Sequence, residues 1–149
     1  MATTSSEAQL ARQNEDLLKR QVDAWARNDI DALLSLYHDD MVYIDMPFSD
    51  RPVRGKVHFR EYIQGYNAQF VSGTVQVEYE NIVASSTSVV GELRVTARYV
   101  GEGAPKGGVV IAWWVVLIDT IVDGKVTSEH AHFDSVAFAK AVEQATTGA

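Results

Sequence analysis

Few side chains in this 149-residue chain sit where they can do chemistry, and the first is Asp45. It closes the apolar run Met41-Val42-Tyr43-Ile44-Asp45, ahead of Met46-Pro47-Phe48, and the run reads as a strand. Alternation sends Tyr43 and Asp45 to one face and Val42 and Ile44 to the other, so covering Tyr43 buries Asp45 with it. Desolvation raises a carboxyl pKa towards the range in which the group both takes and returns a proton, which makes Asp45 a candidate general base. The alternative is a solvated strand-end Asp or a cap on the following turn.

Three further clusters carry polar chemistry. Gln21 falls four residues after Leu17 and four before Trp25, on the inward stripe of a helix, where it is either an edge amide bonded to backbone or a donor lining a cavity. In Glu129-His130-Ala131-His132-Phe133-Asp134, alternation groups His130, His132 and Asp134 on one face and Glu129, Ala131 and Phe133 on the other. His-x-His without a third ligand does not make a metal site, and Asp134 suits the N-cap of a closing helix with Phe133 and Phe138 as its staple. His38-Asp39-Asp40 reads as a solvated turn, since three successive residues cannot easily converge on one ion. No metal and no cofactor is expected.

Composition bounds the functions open to these groups. The chain is 46% hydrophobic and 22% charged, the profile of one globular domain. Its net charge of −7 and lack of a basic run disfavour nucleic acid and anionic membrane as partners. Without cysteine there is no disulfide framework, thiol nucleophile or thiolate-bound metal, which fits a reducing cytoplasm. No apolar stretch approaches the length of a membrane span, and the N-terminus does not read as a signal peptide. The expectation is a soluble cytoplasmic domain over residues 8–145, with a flexible N-terminus over 1–7 and a tail over 146–149.

The elements that must position the candidates follow from periodicity. Leu10, Leu17, Leu18, Val22 and Trp25 predict a helix over about 7–27, and Ile30, Leu33, Leu34 and Tyr37 a shorter second one. Phe59, Tyr62, Ile63, Tyr66 and Phe70 give a third helix whose aromatic face is either ordinary core or a wall for a flat hydrophobic ligand. From residue 73 the period becomes two: Thr74–Glu80, then Glu92–Val100, where Leu93, Val95, Ala97 and Tyr99 oppose Arg94, Thr96 and Arg98. Val109–Val122 reads as a long central strand covered on both faces, with Trp113 and Trp114 pointing to opposite sides. Asp123-Gly124 is a hairpin turn into Lys125–Phe133.

Helices first, then a long antiparallel meander and a last helix, make an α+β domain: a curved antiparallel sheet with the N-terminal helices on its concave face and a cavity between. Here the chain resembles the NTF2-like (cystatin-like) superfamily, and within it the SnoaL-like polyketide cyclases, ketosteroid isomerases and limonene epoxide hydrolases. The resemblance rests on Asn28-Asp29-Ile30-Asp31-Ala32-Leu33, Tyr43-Ile44-Asp45-Met46-Pro47, Val53-Arg54-Gly55-Lys56, Asp123-Gly124-Lys125-Val126 and His132-Phe133-Asp134. It implies that Asp45 matches the isomerases' general base and that Tyr43 matches a hydrolase Tyr. The isomerase oxyanion-hole Tyr and its Asp partner fall at Gln21 and near Trp113, both still donors. The last-strand catalytic Asp falls at Ala131, and the hydrolases' Arg-x-Asp keeps only Arg94.

A cavity with a base and no usual acid suits proton abstraction α to a carbonyl, with Asp45 as base and Gln21, Trp113 or Tyr43 stabilising an enolate oxygen. Trp25, Phe59, Tyr62, Tyr66, Arg94, Glu129 and Ala131 are the candidate substrate contacts, and Glu129 is a secondary carboxyl if it points inward. The expected activity is isomerisation, cyclisation or dehydration of an apolar, polyketide- or terpene-like carbonyl compound. The alternatives are a non-catalytic ligand-binding or dimerisation module and an epoxide-opening enzyme using Tyr43 and Asp45. An exposed Trp on the convex sheet face predicts a homodimer through that face.

Overall fold

The computed structural model describes residues 5–148. The chain forms α1 (Glu7–Ala26), α2 (Ile30–Leu34), β1 (Tyr37–Asp45), β2 (Val53–Arg54), α3 (Lys56–Asn67), β3 (Gln76–Ala84), β4 (Ser88–Tyr99), β5 (Val109–Val122), β6 (Lys125–His132) and α4 (Ser135–Thr147). Ser6 caps α1, its Oγ accepting from Gln9 N at 3.2 Å, and Asp29 caps α2. The expected flexible start at 1–7 therefore lies partly outside the described residues, and its last residues belong to a capped helix. Likewise the expected tail begins inside α4, which runs to Thr147 and is capped by Gly148 at φ 69°.

Six strands form one sheet in the order β2-β1-β6-β5-β4-β3. The meander β3 to β6 is antiparallel as its alternation predicts, and Asp123 and Gly124 both take positive φ (50° and 74°), as a two-residue hairpin of matching twist needs. The sheet is mixed, however, because β1 runs parallel to β6, pairing Tyr43 with Glu129 and Asp45 with Ala131. A second departure lies at His38-Asp39-Asp40, which belong to β1 and not to a turn. The register of β1 on β6 slips between Tyr37 and Val42, and His38 Nε2 reaches Val122 O at 2.8 Å across that irregularity. Tyr37 begins the strand and its ring is 1% exposed.

The core sits between the concave face and helices α1 to α3. Leu17, Leu18 and Val22 of α1 meet Val89, Leu93 and Val95 of β4 within it, and Phe59 of α3 packs on Tyr37 and Tyr43 with ring centroids 5.0 and 5.1 Å apart. Gly91 lets α1 approach β4, since a Cβ there would meet Leu18 Cδ2 at 2.5 Å. Strand β5 is covered on one face only: Trp113 is 6% exposed but Trp114 is 50% exposed, with Val110, Ile118 and Val122 on the same outer side. The expectation of a strand covered twice is corrected accordingly, since among the described residues no helix lies over the convex face. Among the described residues, no helix is long and apolar enough to cross a membrane.

Candidate functional site

Strand β1 ends at Asp45 because Pro47 follows and the chain turns into a short 3-10 segment, Met46–Phe48. Its side chain shares Tyr43's face and is 5% exposed. Tyr62, one turn along α3 from Phe59, donates to Asp45 Oδ2 at 2.5 Å, while Oδ1 is buried with no partner. Burial raises the Asp45 pKa, and the Tyr62 hydroxyl pulls it partly back.

Asp45 stands between two spaces. On the inside is a cavity walled by Val22, Trp25, Tyr43, Phe59 and Tyr66 and closed on the sheet side by Leu93, Val115, Leu117, Ala131 and Phe133, with Gln21, Tyr37 and Glu129 at its deep end. Its volume is about 70 Å³, room for a few waters. On the outside is a groove between α3 and α4 of about 510 Å³. Asp45, Tyr66 and Phe133 line both. Tyr66 carries a hydroxyl raised well above the usual phenol value by burial and then by Asp45, and the nearby Trp113 indole N–H moderates the shift. Trp113 Nε1 completes no hydrogen bond.

At the deep end, Gln21 Nε2 donates to Tyr37 Oη and to Glu129 Oε2, both at 3.0 Å, and Tyr37 Oη donates to Glu129 Oε1 at 3.0 Å. Behind Glu129, paired with it across β5 and β6, lies Asp119, 0% exposed. Burial raises the Glu129 pKa while Asp119, Tyr37 and Gln21 hold it down. Asp119 is pushed far higher, by burial and then by the Glu129 charge.

The residues singled out from sequence separate cleanly. Asp45, Tyr43, Gln21, Trp25, Phe59, Tyr66, Glu129 and Ala131 meet at the inner cavity, and Tyr62 lies at the groove with its hydroxyl on Asp45. Arg94 does not join them. It pairs with Trp114 on the convex face, exposed, because alternation on β4 sends Leu93 and Val95 inward and Arg94 out. Trp113 lies outside the cavity wall, stacked on Phe70 at 5.2 Å. Gln21 reaches the cavity, but both hydrogens of its amide are engaged, and what remains is Oε1, an acceptor, so it has no N–H for an enolate oxygen. Sequence reasoning missed Tyr37 and Asp119. Asp119 was detectable: it occupies an inward position in the alternation of Val109–Val122, in register with Ile111, Trp113 and Ile121. The described residues contain no group of three or more His, Cys, Asp or Glu arranged to hold a metal ion. Asp134 caps α4, accepting from Ala137 N at 2.9 Å.

Comparison with known proteins gives one family: the SnoaL-like domain matches residues 18–129. No curated protein sequence matches the chain. Among solved structures, an LEH-like epoxide hydrolase of M. tuberculosis is 18% identical, with a TM-score of 0.72 over 93% of this chain and 95% of the other. A candidate polyketide cyclase of Xanthomonas campestris pv. campestris is 20% identical, with a TM-score of 0.74 over 89% and 98%. A candidate SnoaL-like polyketide cyclase of Jannaschia sp. CCS1 is 23% identical, with a TM-score of 0.73 over 95% and 97%. At these identities the likeness establishes the fold, α+β and NTF2-like.

Proposed function

Because the chain belongs to the SnoaL-like domain family, we propose that it is a small cofactor-independent enzyme that enolises an apolar carbonyl compound, polyketide- or terpene-like, to isomerise, cyclise or dehydrate it. The observation that carries this reading is the free Oδ1 of Asp45 between an apolar cavity and an open groove. Asp45 removes a proton from the carbon α to the carbonyl and returns it to another atom of the same molecule. Tyr62 fixes the carboxylate through Oδ2. The Tyr66 and Tyr43 hydroxyls are the neutral donors near Asp45 for the developing oxyanion. The substrate body lies in the outer groove, since the inner cavity is smaller than the roughly 300–1,000 Å³ of typical ligand pockets.

Deuterium exchange of α-protons in apolar ketones, followed by NMR in D2O, reads enolisation without knowledge of the natural product. Asp45→Asn is expected to slow exchange by about 10²–10⁴-fold. Exchange within threefold of the unaltered protein, or an Asp45 that titrates as a free side chain, overturns the assignment and leaves a ligand-binding module. One observation favours a second reading: the inner cavity has the size for water beside Asp45, as base-activated epoxide opening requires. Incorporation of labelled water oxygen into product separates the two.

The convex face carries Val110, Trp114, Ile118 and Val122 in one exposed stripe, and we propose a homodimer through it. Sedimentation is expected to give a dimer at micromolar concentration that Trp114→Glu converts to monomer. An acidic, cysteine-free chain fits a cytoplasmic location and a small-molecule partner in place of nucleic acid or membrane.

A further inference from the structure

The deep end of the cavity holds a hydrogen-bonded cluster that enolisation at Asp45 does not use. Four side chains meet there, each at most 5% exposed: Gln21, Tyr37, Asp119 and Glu129. They come from α1, β1, β5 and β6, and no Lys, Arg or His lines the cavity. Two buried carboxyl groups paired across adjacent strands without a cation cannot both ionise, so the pair holds a proton.

Where the proton resides follows from the donors. Glu129 receives Tyr37 on Oε1 and Gln21 on Oε2. Neither oxygen of Asp119 meets a donor, and the Gln21 amide near it is already engaged. Asp119 and Glu129 face each other as paired residues of β5 and β6, and two carboxyls so placed form a hydrogen bond only if a proton lies between them. Asp119 is therefore the neutral acid and donates, and Glu129 is the carboxylate and accepts. A carboxylate has about four acceptor sites. Tyr37, Gln21 and Asp119 fill three, and Glu129 lines the cavity with the fourth. Tyr37 Oη both accepts and donates within the cluster, and beyond the proton that Asp119 gives to Glu129 the polar atoms left over are oxygens, Gln21 Oε1 and the second oxygen of Asp119. The deep end offers acceptors and no free donor.

We propose that this deep end is a subsite for a hydroxyl group, in which Glu129, held by Tyr37, Gln21 and Asp119, accepts the hydrogen bond of an alcohol, phenol or enol on the ligand. Asp119 is a positioning residue: it does not reach the ligand but keeps Glu129 an anion aimed at it. Glu129 and Asp45 lie on neighbouring parallel strands, offset by two residues, so strand geometry separates their Cα atoms by roughly 8 Å. The ligand class is an apolar carbonyl compound with a hydroxyl a few bonds from the acidic carbon. This inference rests on the reading above, in which Asp45 faces a ligand seated in the outer groove, and adds that the hydroxylated end of that ligand reaches past Asp45 into the inner cavity.

Phenol and toluene test it, being alike in size and differing in the donor. Binding to the unaltered protein, followed by ligand-observed NMR and calorimetry, is expected to favour phenol by roughly 10–100-fold, the range for a hydrogen bond to a charged group. Glu129→Gln is expected to bring the two within about threefold while toluene affinity holds. Carbon-13 NMR of labelled aspartate in the unaltered protein is expected to show one carboxyl, absent in Asp119→Asn, that stays protonated at neutral pH. Asp119→Asn is expected to lower phenol affinity with little change for toluene. Equal affinity for the two probes, or binding of neither, overturns the subsite, and an ionised Asp119 overturns its positioning role. The exchange assay on Asp45→Asn reads the other end of the cavity, so either reading can fail alone.

Discussion

Asp45 and Glu129 are buried carboxyls on adjacent strands, and burial raises both. They differ in their donors. Glu129 has Tyr37, Gln21 and Asp119, whereas Asp45 has Tyr62 alone and a bare Oδ1. A carboxylate with one donor and one free oxygen is poised to take a proton, and one with three donors is a fixed charge. Tyr62→Phe tests the difference. The Tyr62 hydrogen bond holds the Asp45 pKa down against desolvation, and the base must be ionised to act. Its removal is expected to move the acid limb of the α-proton exchange profile to higher pH, with activity retained above the limb. A limb that stays in place or moves to lower pH counts against Asp45 as the base.

At the scale of elements, the site depends on how closely α1 approaches the sheet. Gly91 permits that approach, and Gly91→Ala puts a Cβ against the fully buried Leu18, whose side chain must shift within the core. The expected cost is about 1–3 kcal/mol, read as a lower urea midpoint at unchanged slope. The elements themselves were legible where period alone decides: α1, α3, the meander and the Trp113/Trp114 division follow from spacing. Pairing partners were not. Alternation specifies which way a side chain points but not which strand lies beside it, so the parallel docking of β1 on β6 had no local signature. The bulged start of β1 was hidden for the same reason, since charged His38-Asp39-Asp40 looks like a loop until Val122 is known to face it. Arg94 carries the opposite lesson. Its own alternation with Leu93 placed it outside the cavity, and positional likeness to a hydrolase motif drew it in. Asp119 was concealed by its apolar neighbours, although a lone carboxylate at an inward strand position is a strong physical signal.

For the whole molecule, the raised carboxyl values determine how stability varies with pH. Asp119, Glu129 and Asp45 bind protons more tightly folded than unfolded. Between the ordinary carboxylate range and their raised values the folded chain holds protons that the unfolded chain has released, so stability falls as pH rises through that window. Urea unfolding is expected to show greater stability at mildly acidic than at neutral pH. Relief of the net charge of −7 adds to the same trend. Asp119→Asn separates the two causes, because it leaves the charge at neutral pH unchanged and is expected to flatten the slope; an unchanged slope contradicts a neutral Asp119. The parallel pairing of β1 with β6 reaches beyond equilibrium. Asp45 leaves the ribosome long before Ala131, its partner across the ladder, and Tyr37 and Tyr43 wait equally for Glu129. Helices form from local contacts, but this ladder must close a loop that spans most of the chain, and such closures are slow. The cavity wall that holds Asp45 is thus among the last parts of the molecule to assemble, and a nascent chain carries that carboxyl exposed to water until the sixth strand arrives.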